Sequence, residues 1–238
     1  MHNTVQVRED NMDTAILTRT TFRQRAAGIT AIVGAVAMLV GTAFWAASGA
    51  DLDAALEDNT IADYLTDAAA NGTVLTTNLG FWIFGVTLLG LGGILLSRLG
   101  DQGSPATAVA QFAFTAGPAA AIVFFSVWLG IVLGLAPAHV AGAQVEATAL
   151  ALGHATSIAD SIATVIILSV GGAAIAVAGR ETWVPRWLFR WAGLTAALGV
   201  LAIVGLIVDA RTTLSMPVVL VGIGFMIAAG VTAIRRGA

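Results

Sequence analysis

The sequence predicts an all-α fold: an integral membrane bundle of six transmembrane helices with both termini cytoplasmic. Three observations carry that prediction. Hydrophobic residues make up 58% of the chain and charged residues only 11%. A soluble globular protein carries roughly a quarter charged residues, so too few polar groups exist here to cover a water-facing surface. The apolar residues also gather in six uncharged stretches, each close to the ~20 residues that a bilayer core requires. Finally, the arginines divide very unequally between the two sides that six spans would create.

The first stretch, 26–50, follows Arg23 and Arg25. It is longer than the 7–15 residues of a signal-peptide core and reads as a signal anchor. Residues 1–25 read as a polar cytoplasmic tail ahead of a membrane domain spanning 26–238. The second span covers about 74–97. The uncharged run 102–145 is too long for one helix and too short for two with a loop, so it holds one span, about 107–136, and a loop from Pro137. A fourth span, 157–179, ends at Arg180. The fifth, 188–208, lies between Arg186, Arg190 and Asp209, and the sixth, 216–234, precedes Arg235 and Arg236.

With six spans, one side holds Arg8, Arg19, Arg23, Arg25, Arg98, Arg180, Arg186, Arg190, Arg235 and Arg236. The other holds only Arg211. Positively charged loops stay cytoplasmic, so both termini are expected inside a plasma membrane crossed several times. The chain has no lysine, and its abundant Gly and Ala resemble the usage of a GC-rich prokaryote. It has no cysteine either, which excludes disulfides, zinc-thiolate sites and cysteine nucleophiles. No basic patch interleaved with aromatics points to nucleic acid.

The first outer loop, 51–73, carries six acids and no arginine. Its DLDAALED segment lacks the glycine and final glutamate of an EF-hand and reads as a solvated loop rather than a calcium site. Within NTIADYLTDAAANG, Thr60 and Asp63 resemble a capping box and Asn71-Gly72 a C-cap. Ile61, Tyr64, Leu65 and Ala68 share one face, which predicts a short amphipathic helix on the outer membrane surface. Asn71-Gly72-Thr73 matches a glycosylation acceptor, read as chance in a prokaryotic chain.

The junction ETWVPRWLFRW places Pro185 at a helix start, with Thr182 near the cap. Trp183, Trp187 and Trp191 recur every four residues beside Arg186 and Arg190. Tryptophan and arginine at a span end form an interfacial lipid anchor; a specific anionic-lipid or partner site is the alternative. The stretch WVPRWLFRWAGLTAALGVLAIVGL, followed by MPVVLVGIGFMIAAG, resembles the last two helices of an uncharacterised family of six-helix prokaryotic membrane proteins. That family carries a V-P-R-W-L-x-x-W-G element before helix five and a proline-led final helix. In this chain Ala192 follows Trp191 and the glycine falls at Gly193. The resemblance implies six helices and no particular activity.

Small residues let helix backbones approach closely in lipid. Gly130 and Gly134 form a GxxxG pair expected to pack against a neighbouring helix, or against a second chain. Gly85, Gly93 and Gly171-Gly172 offer similar seams, and Pro118 is expected to kink the third span. The two halves show no inverted repeat, since Pro118 and Pro217 do not correspond.

Six titratable groups lie in or near the spans: His139, Glu146, His154, Asp160, Asp209 and Arg211. Asp160 is 20 residues from Arg180, or about 30 Å along a helix, which places it at the outer boundary. Asp209, 19 residues from Arg190, stands at a similar depth. Gly153, Ser157, Asp160 and Thr164 form a small, polar stripe that faces protein or water. Arg211, the only outer arginine, is the natural ion-pair partner of Asp160; a ligand or ion role for the cluster is the alternative. His154 and Asp160 are six apart and do not share a face as metal ligands on one helix do, so no metal is expected. No HExxH, GxSxG or phosphate-binding glycine loop occurs, and no histidine pair could hold a transmembrane haem. No cofactor is expected beyond bound lipid, for which Trp82, Phe124, Phe125 and Trp128 are groove-lining candidates, though such residues are more often bundle packing. The leading expectation is a non-enzymatic structural or accessory subunit acting through contacts with a partner membrane subunit or a homo-oligomer. The alternative is a small-solute or ion transporter or sensor with a polar site around Asp160 and Arg211.

Overall fold

A computed structural model describes the backbone over residues 2–207 and 211–237, and the side chains over 21–207 and 216–237. Among these residues every regular element is helical. Six helices are long and apolar enough to cross a membrane: Thr21–Ser48, Gly72–Ser97, Pro105–Val140, Glu146–Ala178, Arg186–Ile207 and Met216–Arg236. The protein is a multi-pass membrane bundle.

The first span belongs to α1 (His2–Ser48), which runs unbroken from the residues expected as a separate tail. Two short helices follow, α2 (Leu52–Glu57) and α3 (Ile61–Ala70), before the second span, α4 (Gly72–Ser97). The third span is α5 (Pro105–Gly130), a first π segment (Ile131–Leu135) and α6 (Ala136–Val140). The fourth is α7 (Glu146–Thr164), a second π segment (Val165–Gly171) and α8 (Gly172–Ala178). The last two spans are α9 (Arg186–Ile207) and α10 (Arg211–Arg236).

Two spans are longer than the sequence predicts. The third starts where Ser104 caps it, accepting from the Ala106 N–H at 3.2 Å, and it continues through Pro137. Proline is tolerated in the first turn of a helix, so Pro137 opens α6 rather than a loop. The fourth starts at Glu146, eleven residues (157 − 146) before its expected first residue. The polar, alanine-rich 146–156 segment is too weakly apolar to read as a span, yet it packs beneath α2 and α3. Within α5 the helix passes Pro118 without interruption.

The segment between the first two spans is a structured cover. Asp51 caps α2 by accepting from the Ala54 N–H at 3.1 Å, and Gly49 (φ 68°) and Asn59 (φ 58°) turn the chain on either side. Both take the left-handed conformation that glycine and asparagine tolerate. The face predicted for α3 exists: Ile61, Tyr64, Leu65 and Ala68 are all buried. They pack on α6, α7 and the first π segment rather than on lipid. Thr60 makes no side-chain cap bond, and Gly72 does not end α3 in a turn but opens α4 directly.

Close backbone contacts hold the spans together. In lipid, apolar area alone gives helices no reason to associate, so fit and interhelical hydrogen bonds decide. A Cβ on Gly34 of α1 would lie 2.5 Å from the Leu89 nitrogen and 2.9 Å from the Gly85 oxygen of α4. One on Gly92 would lie 2.6 Å from the Ala31 nitrogen, and one on Gly230 of α10 would lie 2.7 Å from the Gly28 oxygen of α1. The wholly buried Asn78 donates from Nδ2 to the Gly41 oxygen at 2.9 Å, binding α4 to α1. Ser169 in the second π segment donates to the Thr195 oxygen of α9 at 2.9 Å.

Gly130 and Gly134 take no part in this packing. Nothing lies within 4 Å of a Cβ built on either. The intramolecular seams are formed by other glycines.

At the face of the bundle bearing the C-terminal end of α10, Arg236 Nη1 donates to the Thr182 oxygen at 2.9 Å and the Asp101 N–H to the Ala178 oxygen at 3.0 Å. The Trp/Arg element at this face is split. Trp183 precedes α9 and is buried against Gly179, so it cannot serve as a lipid anchor with the other two. Trp187 is 51% exposed, Arg186 and Arg190 are exposed, and Trp191 turns inward to donate to the Val221 oxygen at 3.2 Å.

Candidate functional site

A half-enclosed cavity of about 90 Å³ lies between α1, α4, α5, α7 and α10, under the cover. Met38, Thr42 and Trp45 of α1 form one wall; Trp82, Phe125 and Trp128 form another. Asp160 and Thr164 come from α7, Met216 and Val219 from α10, and Asp51 and Asp53 from the start of α2. A smaller void of about 30 Å³ continues from Asp160 and Thr164 toward Leu89, Ile167 and Ile223. Apolar side chains close it there.

Local sequence explains why Asp160 reaches this cavity. The stripe of Gly153, Ser157, Asp160 and Thr164 turns toward protein. Gly153 admits Leu56 of α2, whose Cδ2 would lie 3.1 Å from a Cβ at that position, and Ser157 is buried. Asp160 stands fourteen residues (160 − 146) into its helix, about 21 Å from the first residue of α7. The carboxylate is therefore well below the end of its helix, while its 20 residues from Arg180 still set it about 30 Å along the helix from that arginine. Among the described residues its hydrogen-bond partner is Thr164, whose hydroxyl donates to Oδ1 at 3.4 Å, a long and weak contact.

The aromatic wall is continuous. Trp82 packs on Phe125 with centroids 5.3 Å apart and edge-on to Trp128 at 5.8 Å; Phe125 in turn meets Phe124 at 4.4 Å. The buried Nε1 of Trp82 has no hydrogen-bond partner. Trp128 also serves the cover, because its Nε1–H donates to the Tyr64 hydroxyl at 2.8 Å. Burial, acting against that bond, pushes the Tyr64 phenol above its ordinary value.

The other sequence-predicted groups do not all converge here. His139 Nδ1 stands 3.0 Å from Glu146 Oε1, at ion-pair distance but without hydrogen-bond alignment. That pair, His154 and Ser157 are absent from the cavity wall. Asp209 and the side chain of Arg211 lie outside the described residues, and so does the expected Asp160–Arg211 pair. Sequence reasoning missed Asp51 and Asp53, which reach the cavity because α2 folds back over the bundle, and Met38, Thr42 and Trp45, which α1 carries to it. The one local signal was Asp51 as the N-cap of the short LDAALE helix. Among the described residues no group of three His, Asp or Glu stands close enough to hold a metal ion. No family model, no curated protein and no solved structure matches this chain.

Proposed function

We propose that the protein is a small-solute or ion transporter or sensor whose site is the Asp160 cavity. One observation carries this reading: a carboxylate in a helix long and apolar enough to cross a membrane borders a half-enclosed cavity, and its hydrogen-bond partner among the described residues is Thr164 at a long 3.4 Å. An ionisable side chain inside a span is costly and marks a substrate or ion path by default. The carboxylate favours a cation. By the arginine distribution the cover faces the outside of the plasma membrane, so the solute arrives past Asp51 and Asp53. The chain takes its place beside the uncharacterised six-helix proteins that its 183–230 stretch resembles.

Thermal unfolding in detergent tests the site. Sodium, potassium, ammonium and methylammonium chlorides are compared at constant ionic strength with the bulky N-methylglucammonium salt. At least one small cation is expected to raise Tm in the wild type and not in Asp160→Asn, since a ligand bound only by the native state stabilises it. A flat response across the panel would reject the reading. Orientation has its own test, made simple by the cysteine-free sequence. An impermeant maleimide should label Asp58→Cys on intact cells, and Gly103→Cys only after permeabilisation.

The accessory-subunit reading retains one specific support, the bare Gly130 and Gly134. A partner helix could approach closely there. In that case Gly134→Leu loses the partner while the isolated chain unfolds unchanged.

A further inference from the structure

We infer that the cavity takes a small ammonium-class cation, such as methylammonium or the head of a primary amine, rather than a metal cation. The inference rests on the transporter or sensor reading above and names its ligand. Wall chemistry makes the choice. A hard cation such as Na⁺ or Ca²⁺ needs a shell of several oxygen ligands. The oxygens lining the cavity are the carboxylates of Asp160, Asp51 and Asp53 and the hydroxyls of Thr164 and Thr42, and among the described residues no three acidic or imidazole side chains stand close enough to hold a metal ion. The rest of the wall is Trp45, Trp82, Trp128, Phe125, two methionines and Val219. A dehydrated metal ion gains little from such a surface. An ammonium group gains from both parts, an ion pair with the carboxylate and cation–π attraction to tryptophan, the best of the aromatic partners.

Size agrees. The cavity of about 90 Å³ is well above the ~10–15 Å³ that one water needs. That admits an ammonium group with small alkyl substituents. The smaller continuation toward Leu89 and Ile167, about 30 Å³, is lined by apolar side chains apart from Asp160 and Thr164, so the cation is held at the carboxylate.

The test follows intrinsic tryptophan fluorescence of the full chain in detergent during titration with methylammonium chloride, against sodium and potassium chloride at matched ionic strength. Three of the six tryptophans line the cavity. A saturable change with methylammonium alone is expected, abolished in Asp160→Asn. Trp82→Leu should weaken the affinity about tenfold, the scale of one desolvated cation–π contact. Val219→Phe, which fills the cavity without touching the carboxylate, should also abolish the response. It stands in if Asp160→Asn fails to fold. A saturable response to sodium or potassium that these variants abolish, with none to methylammonium, overturns the ammonium assignment and leaves a cation site. No response to any probe that depends on Asp160 or Val219 overturns both.

Discussion

Replacing Gly34 by alanine is expected to destabilise the bundle by about 3 kcal/mol, at the upper end of overpacking costs. The new methyl would lie 2.5 Å from the Leu89 nitrogen, 2.9 Å from the Gly85 oxygen and 2.9 Å from the Leu88 carbonyl carbon. All three are backbone atoms, so no side chain can turn aside. Helices α1 and α4 must separate along the seam that also holds Gly41 against Trp82 and Asn78. Met38, one turn beyond Gly34, carries the displacement into the Asp160 cavity. The matched control is Gly134→Ala, where nothing lies within 4 Å. It should be neutral or slightly stabilising, because alanine is the better helix former by roughly 1 kcal/mol. Unfolding of purified protein in mixed detergent micelles measures both; equal effects at the two sites would refute the packing argument.

Tyr64→Phe should cost about 1–3 kcal/mol, because the buried Trp128 Nε1–H would keep its desolvation and lose its acceptor. Burial of the same phenol predicts alkaline behaviour. The folded-state phenol titrates above its ordinary value of about 10. Between the unfolded and folded values the unfolded chain binds fewer protons than the native one, so stability falls as pH rises. This contribution is fully present below about pH 10 and is lost above it. A phenylalanine ring cannot ionise, so the variant should lack that alkaline loss and its stability should converge on the wild type at high pH. Tyr64 is the sole tyrosine in the chain, so tyrosinate absorbance reports it alone. A midpoint near the ordinary value would show that the phenol is wet and the cover loose.

Hydropathy made the six spans legible, because the bilayer sets a length that composition must meet. The inward face of α3 was equally legible, since Ile61, Tyr64, Leu65 and Ala68 keep helical spacing whatever they pack against. What covers that face was not, because an amphipathic helix reads alike whether it meets lipid or protein. Asp160 could be placed on a polar stripe, but the extension of α7 beyond it to Glu146 could not be read, because 146–156 carries too little apolar signal to show it. The cavity is a tertiary object. Asp51 reaches it through the turn at Gly49 and Trp45 through the packing of α1 on its neighbours, and no local pattern encodes either. The GxxxG at Gly130 misled for a related reason: the motif states that close approach is permitted and does not say which helix accepts.

The second π segment has a consequence for how span four tolerates change. A π turn closes with i→i+5 bonds, so it takes up residues that an α-helix would spend on further rotation. Asp160 and Thr164 above it therefore run out of phase with Gly172 and Ile175 below. Each α-helical residue turns the chain by about 100°. Forcing 165–171 into an α-helix at unchanged length would leave the lower half seated on α9 and swing the carboxylate about a quarter-turn away from the tryptophans, whereas deleting one residue from the segment as it reverts would restore the aim. The aspartate's aim is set by the helix type between two anchors as much as by the residues around it, so a change of helix type there would silence the cavity while every lining side chain was still present.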